Sequence, residues 1–332
     1  ISLLSAIEKY QILSTVNETA GNSENYEAIC PNSIQMFATN LIHLQHAESL
    51  VGQFKKQPLN DAVCFTPIRY IPLSFLSCSL SKKSAILCDE SKFDKVAESI
   101  TSRYIAVMLP KGGANVHFGV LYFDAQDNID VVEHEISHLL GFIDEYPLVK
   151  GHVKCRASQE KIFSQNVTVL KTRYKGERSA IRAKVLKQIA WAEQVKESTP
   201  ILHSNQLNLR DGRLQKSQYW QLGTPKGFEQ DVGLFRAETC DSNSDTQQGF
   251  ISAFKPLSSR TKLQYNALEF PQEYITLIQQ NSAQFLMPSF HYNIALAYYQ
   301  QGNLTQSKRW LKQAASWENE ESRRVKVQKG DF

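Results

Sequence analysis

The sequence predicts a protein of the α/β (α+β) class, a mixed sheet with helices on either side of it in the chain. Three observations carry that expectation. Short runs rich in β-branched and aromatic residues, broken by proline and serine, follow Asp61, as in "AVCFTPIRYIPLSFLSCS". Apolar residues at helical spacing precede them in "SIQMFATNLIHLQHAESLVGQF" and return over roughly the last sixty residues. Between these, "KGGANVHFGVLYFDAQD" reads as a glycine turn and a strand that run directly into a helix, "NIDVVEHEISHLLGF".

Taken in order, 1–60 is expected to be an N-terminal helical segment and 61–270 the main α/β domain. Residues 271–332 are expected to form a helical appendage. Within the main domain "SAILCDE" reads as a strand, "KFDKVAESITSR" as a helix and "YIAVMLP" as a buried strand. The helix after "DAQDN" should start at Asp127 or Asn128, both good N-caps. After Pro147 the chain turns polar and basic. "GERSAIRAKVLKQIAWAEQVKEST" is read as a helix, residues 200–235 as loops, and "ISAFKPLSSRTKLQYNALEFP" as irregular.

Composition narrows the function classes. Of 332 residues 42% are hydrophobic and 21% charged, enough apolar material for a sizeable core. A net charge of +4 without a dense Lys/Arg run argues against a nucleic-acid partner. No apolar run approaches the roughly 20 residues of a membrane span, so no transmembrane segment is expected. The chain starts at Ile1, which suggests that a signal peptide has been removed. Six cysteines, an even number with no C-x-x-C pair, favour disulfides in an oxidising compartment over a zinc knot. The pairing cannot be read from sequence; Cys78 with Cys88 and Cys155 with Cys240 are trial assignments. N-x-T sequons stand at Asn17, Asn166 and Asn303 and matter only in a eukaryotic secretory pathway.

The chemistry concentrates in "HEISHLLGFIDEY". On a helix His134 and His138 share a face and can present two imidazoles to one ion. Catalytic zinc takes three protein ligands and keeps one position for water. Glu135, beside the first histidine, is placed to act on that water as general base. Gly141 can end the helix in a left-handed turn that sends the chain back. Asp144 is then the natural third ligand, with Glu145 the alternative. A bare H-E-x-x-H also arises on ordinary amphipathic helices; the glycine and acid at these offsets favour the metal reading.

Over His134, Glu135, His138, Gly141 and Asp144 the sequence resembles the metzincin zinc proteases, H-E-x-x-H-x-x-G-x-x-H/D, with Asp at the third position. "DEY" is also similar to the IgA-protease-like metallopeptidases, whose pattern has one more residue before the acidic pair. The resemblance implies a metzincin-like catalytic domain over 61–270 with an insertion at 150–235. It also implies one catalytic Zn2+ and hydrolysis of peptide bonds by activated water, with Glu135 as base. It implies an edge strand within "NVHFGVLYF" that would align a peptide or protein substrate along His117, Gly119 and Leu121. Metzincins carry a turn of the form S-x-M-x-Y below the metal. "TKLQY" has that shape with Leu263 in the methionine place, and Tyr265 would then steady the oxyanion; Met287 in "FLMPSF" is the other methionine candidate. The expected setting is secreted or periplasmic.

Alternatives remain open at this stage. A zinc protease of another clan could draw its third ligand from Glu160 or Glu177. "HYNIALAYYQQGNLTQSKRWLKQAASW" places Ala295, Tyr298, Gly302, Leu311 and Ala314 where a tetratricopeptide helix pair uses them. An inactive protein that binds a protein partner through this tail is therefore the rival function. Packing on the main domain is the plainer reading of the hairpin, because a lone repeat cannot bury its own faces. A surface histidine is the plainer reading of His117, and His43, His46, His152, His203 and His291 have no partner pattern.

Overall fold

A computed structural model describes residues 30–81, 85–155, 161–208, 214–242 and 251–332. The expectation for 1–29 lies outside them. The chain forms two compact units, one from 1–140 with 286–332, the other from 141–285.

The first unit is built on a mixed sheet. Its strands are β1 (Ser33–Ala38), β2 (Cys64–Phe65), β3 (Arg69–Tyr70), β4 (Tyr104–Leu109), β5 (Asn115–His117) and β6 (Val120–Asp124). They run in the order β2-β1-β4-β6-β5, with β3 also on β1. All pairings are parallel except β5 on β6. β4 is buried at every residue, as expected of "YIAVML" in the middle of a parallel sheet.

Two sequence expectations change here. "SIQMFA" is a strand rather than the start of a helix, and the α-helix in that stretch is Leu44–Phe54 (α1), entered through a 3-10 turn at Leu41–His43. Four apolar residues in six fit either period, and pairing with β4 decides it. "NVHFGVLYF" is likewise not one strand but a hairpin. Phe118 and Gly119 turn with φ of 39° and 81°, the left-handed pair that two-residue hairpin loops use. A Cβ on Gly119 would sit 2.6 Å from the Pro288 carbonyl oxygen, so the position is closed to side chains on both counts.

In the second unit β7 (Thr168–Lys171), β11 (Phe235–Ala237) and β12 (Ile251–Lys255) form one antiparallel sheet in the order β11-β12-β7. β8 (Arg173–Tyr174), β9 (Leu202–Asn208) and β10 (Leu214–Leu222) form another, ordered β8-β10-β9. The described part of 200–235, expected as loop, therefore includes the strands Leu202–Asn208 and Leu214–Leu222. Its polar sequence hid a hairpin held by backbone pairing. Among the described residues the α-helices here are Arg178–Leu186 and Gln272–Phe285.

Residues 286–332 complete the first unit with three helices, Phe290–Gln300, Leu304–Ala315 and Glu321–Lys329. Phe290, Ile294, Ala295 and Trp310 share one core cluster with Phe37, Ile105, Val107 and Tyr122 of the sheet. The hairpin is thus part of this unit's core. The ring of His291 stacks on Trp310 and Trp317, and burial lowers its pKa from 6.5 to about 3. A base whose folded pKa is depressed binds fewer protons folded than unfolded between those values. Stability should therefore be lost as pH falls from about 6.5 toward 3. Replacing His291 by Phe should flatten that part of a pH–denaturation series; an unchanged slope would assign it to other groups.

Three disulfides close the chain: Cys30–Cys64, Cys78–Cys88 and Cys155–Cys240. Both trial pairings occur, and the set fits a protein matured in an oxidising compartment. No described helix is long and apolar enough to cross a membrane. Of the sequons, Asn166 is fully buried, whereas Asn303 is exposed and caps a helix through its Oδ1.

Candidate metal centre

The helix that bears the histidines, α2 (Ile129–Leu139), begins at Asn128, whose Oδ1 accepts from the backbone N–H groups of Asp130 and Val131 at 3.1 and 3.2 Å. Asp127 instead accepts from the Asp124 N–H at 2.7 Å, which settles the choice of cap. Val132, Ile136 and Leu139 are buried on the apolar stripe. Glu133 is buried too and accepts from the Leu59 N–H. The helix packs against β5 and β6.

His134 and His138 come together as helical spacing requires, their rings edge to face with centroids 4.8 Å apart. Ligand atoms of His134, Glu135 and His138 all lie within 4.8 Å of one another. Among the described residues this is the group of three that could hold a metal ion. His134 is 2% exposed and Glu135 8%. Two imidazoles and a carboxylate brought this close, with His138 half-buried at the rim, are a donor set suited to zinc.

After Leu140 the chain leaves the helix at Gly141, with φ of 90°. A Cβ there would meet the Phe285 Cβ and carbonyl oxygen at 2.4 Å, so glycine is needed for space as well as for conformation. Asp144 follows in the second unit, its carbonyl accepting from Thr239 Oγ1 at 2.9 Å. Glu145, the alternative ligand, is fully buried. Its Oε2 accepts from Lys255 Nζ at 2.8 Å and Thr261 Oγ1 at 2.9 Å. Its Oε1 accepts from Asn166 Nδ2 at 3.1 Å and from the Tyr274 hydroxyl. Both oxygens are committed, which removes Glu145 from the ligand candidates. Burial and the neighbouring Glu145 charge push the Tyr274 pKa well above its ordinary value, so it stays a donor. Glu177 is occupied as a helix N-cap, accepting from Ala180 N–H at 2.8 Å and from Ser179, contacts that lower its pKa. Glu160 lies outside the described residues.

The other sequence candidates separate. Leu121 is fully buried in β6, an interior strand flanked by β4 and β5, so it belongs to the core rather than to a substrate cleft. Gly119 is the hairpin turn. The edge is β5, and His117 on it is part exposed, with Nδ1 3.6 Å from Glu90 Oε1. Its carbonyl already accepts from Asn293 Nδ2 at 2.7 Å. Thr261–Tyr265 does form a turn, with the Gln264 and Tyr265 N–H groups bonded to the Thr261 carbonyl. Leu263 is fully buried and its carbonyl accepts from Glu145 N–H at 2.9 Å; Tyr265 is 48% exposed, under the guanidinium of Arg260. Met287 lies in the first unit, and its N–H donates to the Leu139 carbonyl at the end of α2 at 2.9 Å.

No family model matches the chain, and no curated protein or solved structure is found similar to it.

The sequence reading missed the ties at the end of α2. The Tyr104 hydroxyl lies 3.3 Å from the Leu139 carbonyl and 2.9 Å from that of Met287. Arg103 donates to the carbonyls of Met287 and Trp317 and to Glu318 Oε1, at 2.9, 2.7 and 2.6 Å. The adjacent Arg-Tyr at the start of a buried strand gives no local sign of this, because the partners lie 35 residues away at Leu139 and more than 180 residues away at Met287, Trp317 and Glu318.

Proposed function

We propose that the protein is a zinc-dependent endopeptidase. The observation that carries the reading is the convergence of His134, Glu135 and His138 on one capped helix, with His134 and Glu135 buried and His138 half-buried. His134 and His138 would hold the ion, and Asp144 would be the third ligand on the strength of the H-E-x-x-H-x-x-G-x-x-D pattern. Bound there, zinc supplies Lewis-acid polarisation of a carbonyl and lowers the pKa of water. Glu135 takes the proton from the attacking water and returns it to the leaving amine. β5, as the antiparallel edge strand beside the helix, supports substrate alignment by backbone pairing, with His117 at its end. Tyr265, half exposed on its turn, is the residue the metzincin resemblance assigns to the oxyanion. The three disulfides and the absence of a membrane-crossing helix among the described residues support a secreted or periplasmic setting.

The test is metal content by plasma mass spectrometry on protein purified without added metal or chelator. We expect close to one zinc per chain in the wild type and a collapse of zinc affinity in Asp144→Ala. Retained affinity in that variant would move the third ligand elsewhere. Absence of metal even after zinc is offered would overturn the reading and return the two histidines to a polar helix edge.

A further inference from the structure

In the second unit the chain from β7 into β8 carries a cation at every second position, Lys171, Arg173 and Lys175. All three are exposed, whereas Thr172 is buried and Tyr174 half-buried. They fall within five residues, so their Cα atoms span at most about 14 Å. Strand pairing places neighbours beside them. Arg173 pairs with Gln221 on β10, which in turn pairs with His203 on β9. One position along, Tyr174 pairs with Trp220, and Leu222 pairs with Leu202; these leucines are 3% and 1% exposed and mark the inner face. Neighbouring residues of a strand point to opposite sides, so Arg173, Gln221 and His203 stand on the outer face. Tyr219 joins them there, 42% exposed, with Lys175 Nζ 4.7 Å from its ring centroid.

The charge of this face is not offset from within. Lys196, Arg236 and Lys255 of the same unit pair with Asp231, Asp241 and Glu145. Lys171, Arg173 and Lys175 have no carboxylate partner among the described residues. Glu177, the next acid along the chain, is spent as a helix N-cap on the Ala180 N–H and on Ser179. Like charges this close repel one another, and an anion from outside removes that repulsion.

The groups around the cations narrow the partner. "KTRYKGER", residues 171–178, holds no aliphatic residue of the kind that enters a lipid surface. Single-stranded nucleic acid stacks its bases on open aromatic faces, and one face of the Tyr219 ring is covered by Lys175. Beside the charge stands neutral hydrogen-bonding chemistry, the Gln221 amide, the His203 ring and the Tyr219 hydroxyl. Carboxylates for the cations and hydroxyls for the neutral groups, repeated along one chain, are what an acidic polysaccharide offers. We infer that this face of the second unit is a docking surface for an acidic polysaccharide. Lys171, Arg173 and Lys175 hold its carboxylates, and Tyr219, Gln221 and His203 contact its sugar rings. None of these residues belongs to the proposed metal centre.

The test is affinity electrophoresis through gels containing polygalacturonate, a carboxylated polysaccharide, with neutral dextran gels as the reference. Wild type should be retarded by polygalacturonate and not by dextran, and the retardation should weaken as salt rises. Lys171→Gln/Arg173→Gln/Lys175→Gln should bind about 10-fold more weakly or worse. Tyr219→Ala, which leaves the charge unchanged, should lose less. Lys184→Gln/Lys187→Gln/Lys226→Gln removes the same charge from exposed positions elsewhere in the unit and should bind like wild type. No retardation of the wild type, or full retardation of the 171/173/175 variant, would overturn the inference. Equal loss in the two triple variants would overturn it as well, by making net charge the cause. Tighter binding to a single-stranded oligonucleotide or to phosphatidylserine vesicles than to polygalacturonate would overturn the choice of partner. If the 171/173/175 variant fails to fold by circular dichroism, Arg173→Gln and Lys175→Gln taken singly decide.

Discussion

Replacing Glu135 by alanine should remove turnover and leave the metal in place. The carboxylate shares a cluster with His134 and His138 but, in the proposed mechanism, acts on water rather than on the ion. A positioned general base contributes about 10²- to 10⁴-fold to rate, so hydrolysis of a quenched fluorescent peptide library should fall by that factor or to background. Zinc content should stay near that of the wild type. The site is compact and Glu135 lies on a helix interior, where alanine is the best helix former, so the fold should survive the change. Two results would count against the mechanism. Equal activity in the variant would show that Glu135 is not the base. Loss of zinc together with activity would make it a ligand.

The second large effect concerns stability. Glu318 is 3% exposed and bridges two arginines, Arg103 Nη2 at 2.6 Å on Oε1 and Arg323 Nε at 2.8 Å on Oε2. Burial works against the Arg103 charge, but Tyr104 and Glu318 beside it hold its pKa above the ordinary arginine value. Arg323 reaches on to the Leu286 carbonyl at 2.6 Å. Removing the shared anion leaves two guanidinium groups buried without it. Breaking such a buried pair costs about 3–5 kcal/mol, and Glu318→Ala should destabilise the protein by that amount in urea denaturation. Arg103 also donates to the Met287 carbonyl, and Met287 N–H is bonded to the end of α2. Loosening here should therefore reach the helix that carries the histidines. A loss below about 1 kcal/mol, the range of an exposed pair, would show that solvent replaces Glu318.

Much of the candidate centre was legible in the sequence because it is local. A cap at Asn128, apolar residues at Val132, Ile136 and Leu139, and histidines four apart are all features of one helix, and helical geometry alone brings His134 and His138 together. The glycine stop at Gly141 follows from the same local logic. The C-terminal helices were legible for the same reason, and the even count of cysteines pointed to disulfides.

What the sequence could not supply depends on partners far along the chain. "SIQMFA" has no periodicity that excludes a helix, and parallel pairing with Tyr104–Leu109 makes it a strand. "NVHFGVLYF" reads as one strand until the turn at Phe118–Gly119 folds it back, which moves Leu121 from a cleft to the core. Asp144 and Glu145 are chemically alike and adjacent, so either could be read as a ligand. Only the tertiary structure shows that Glu145 is committed, because four donors between 21 and 129 residues away converge on its carboxylate. Helix spacing is set within a few residues by backbone hydrogen bonds, whereas strand order and the satisfaction of a buried charge are set by which distant segments the fold brings to the same place.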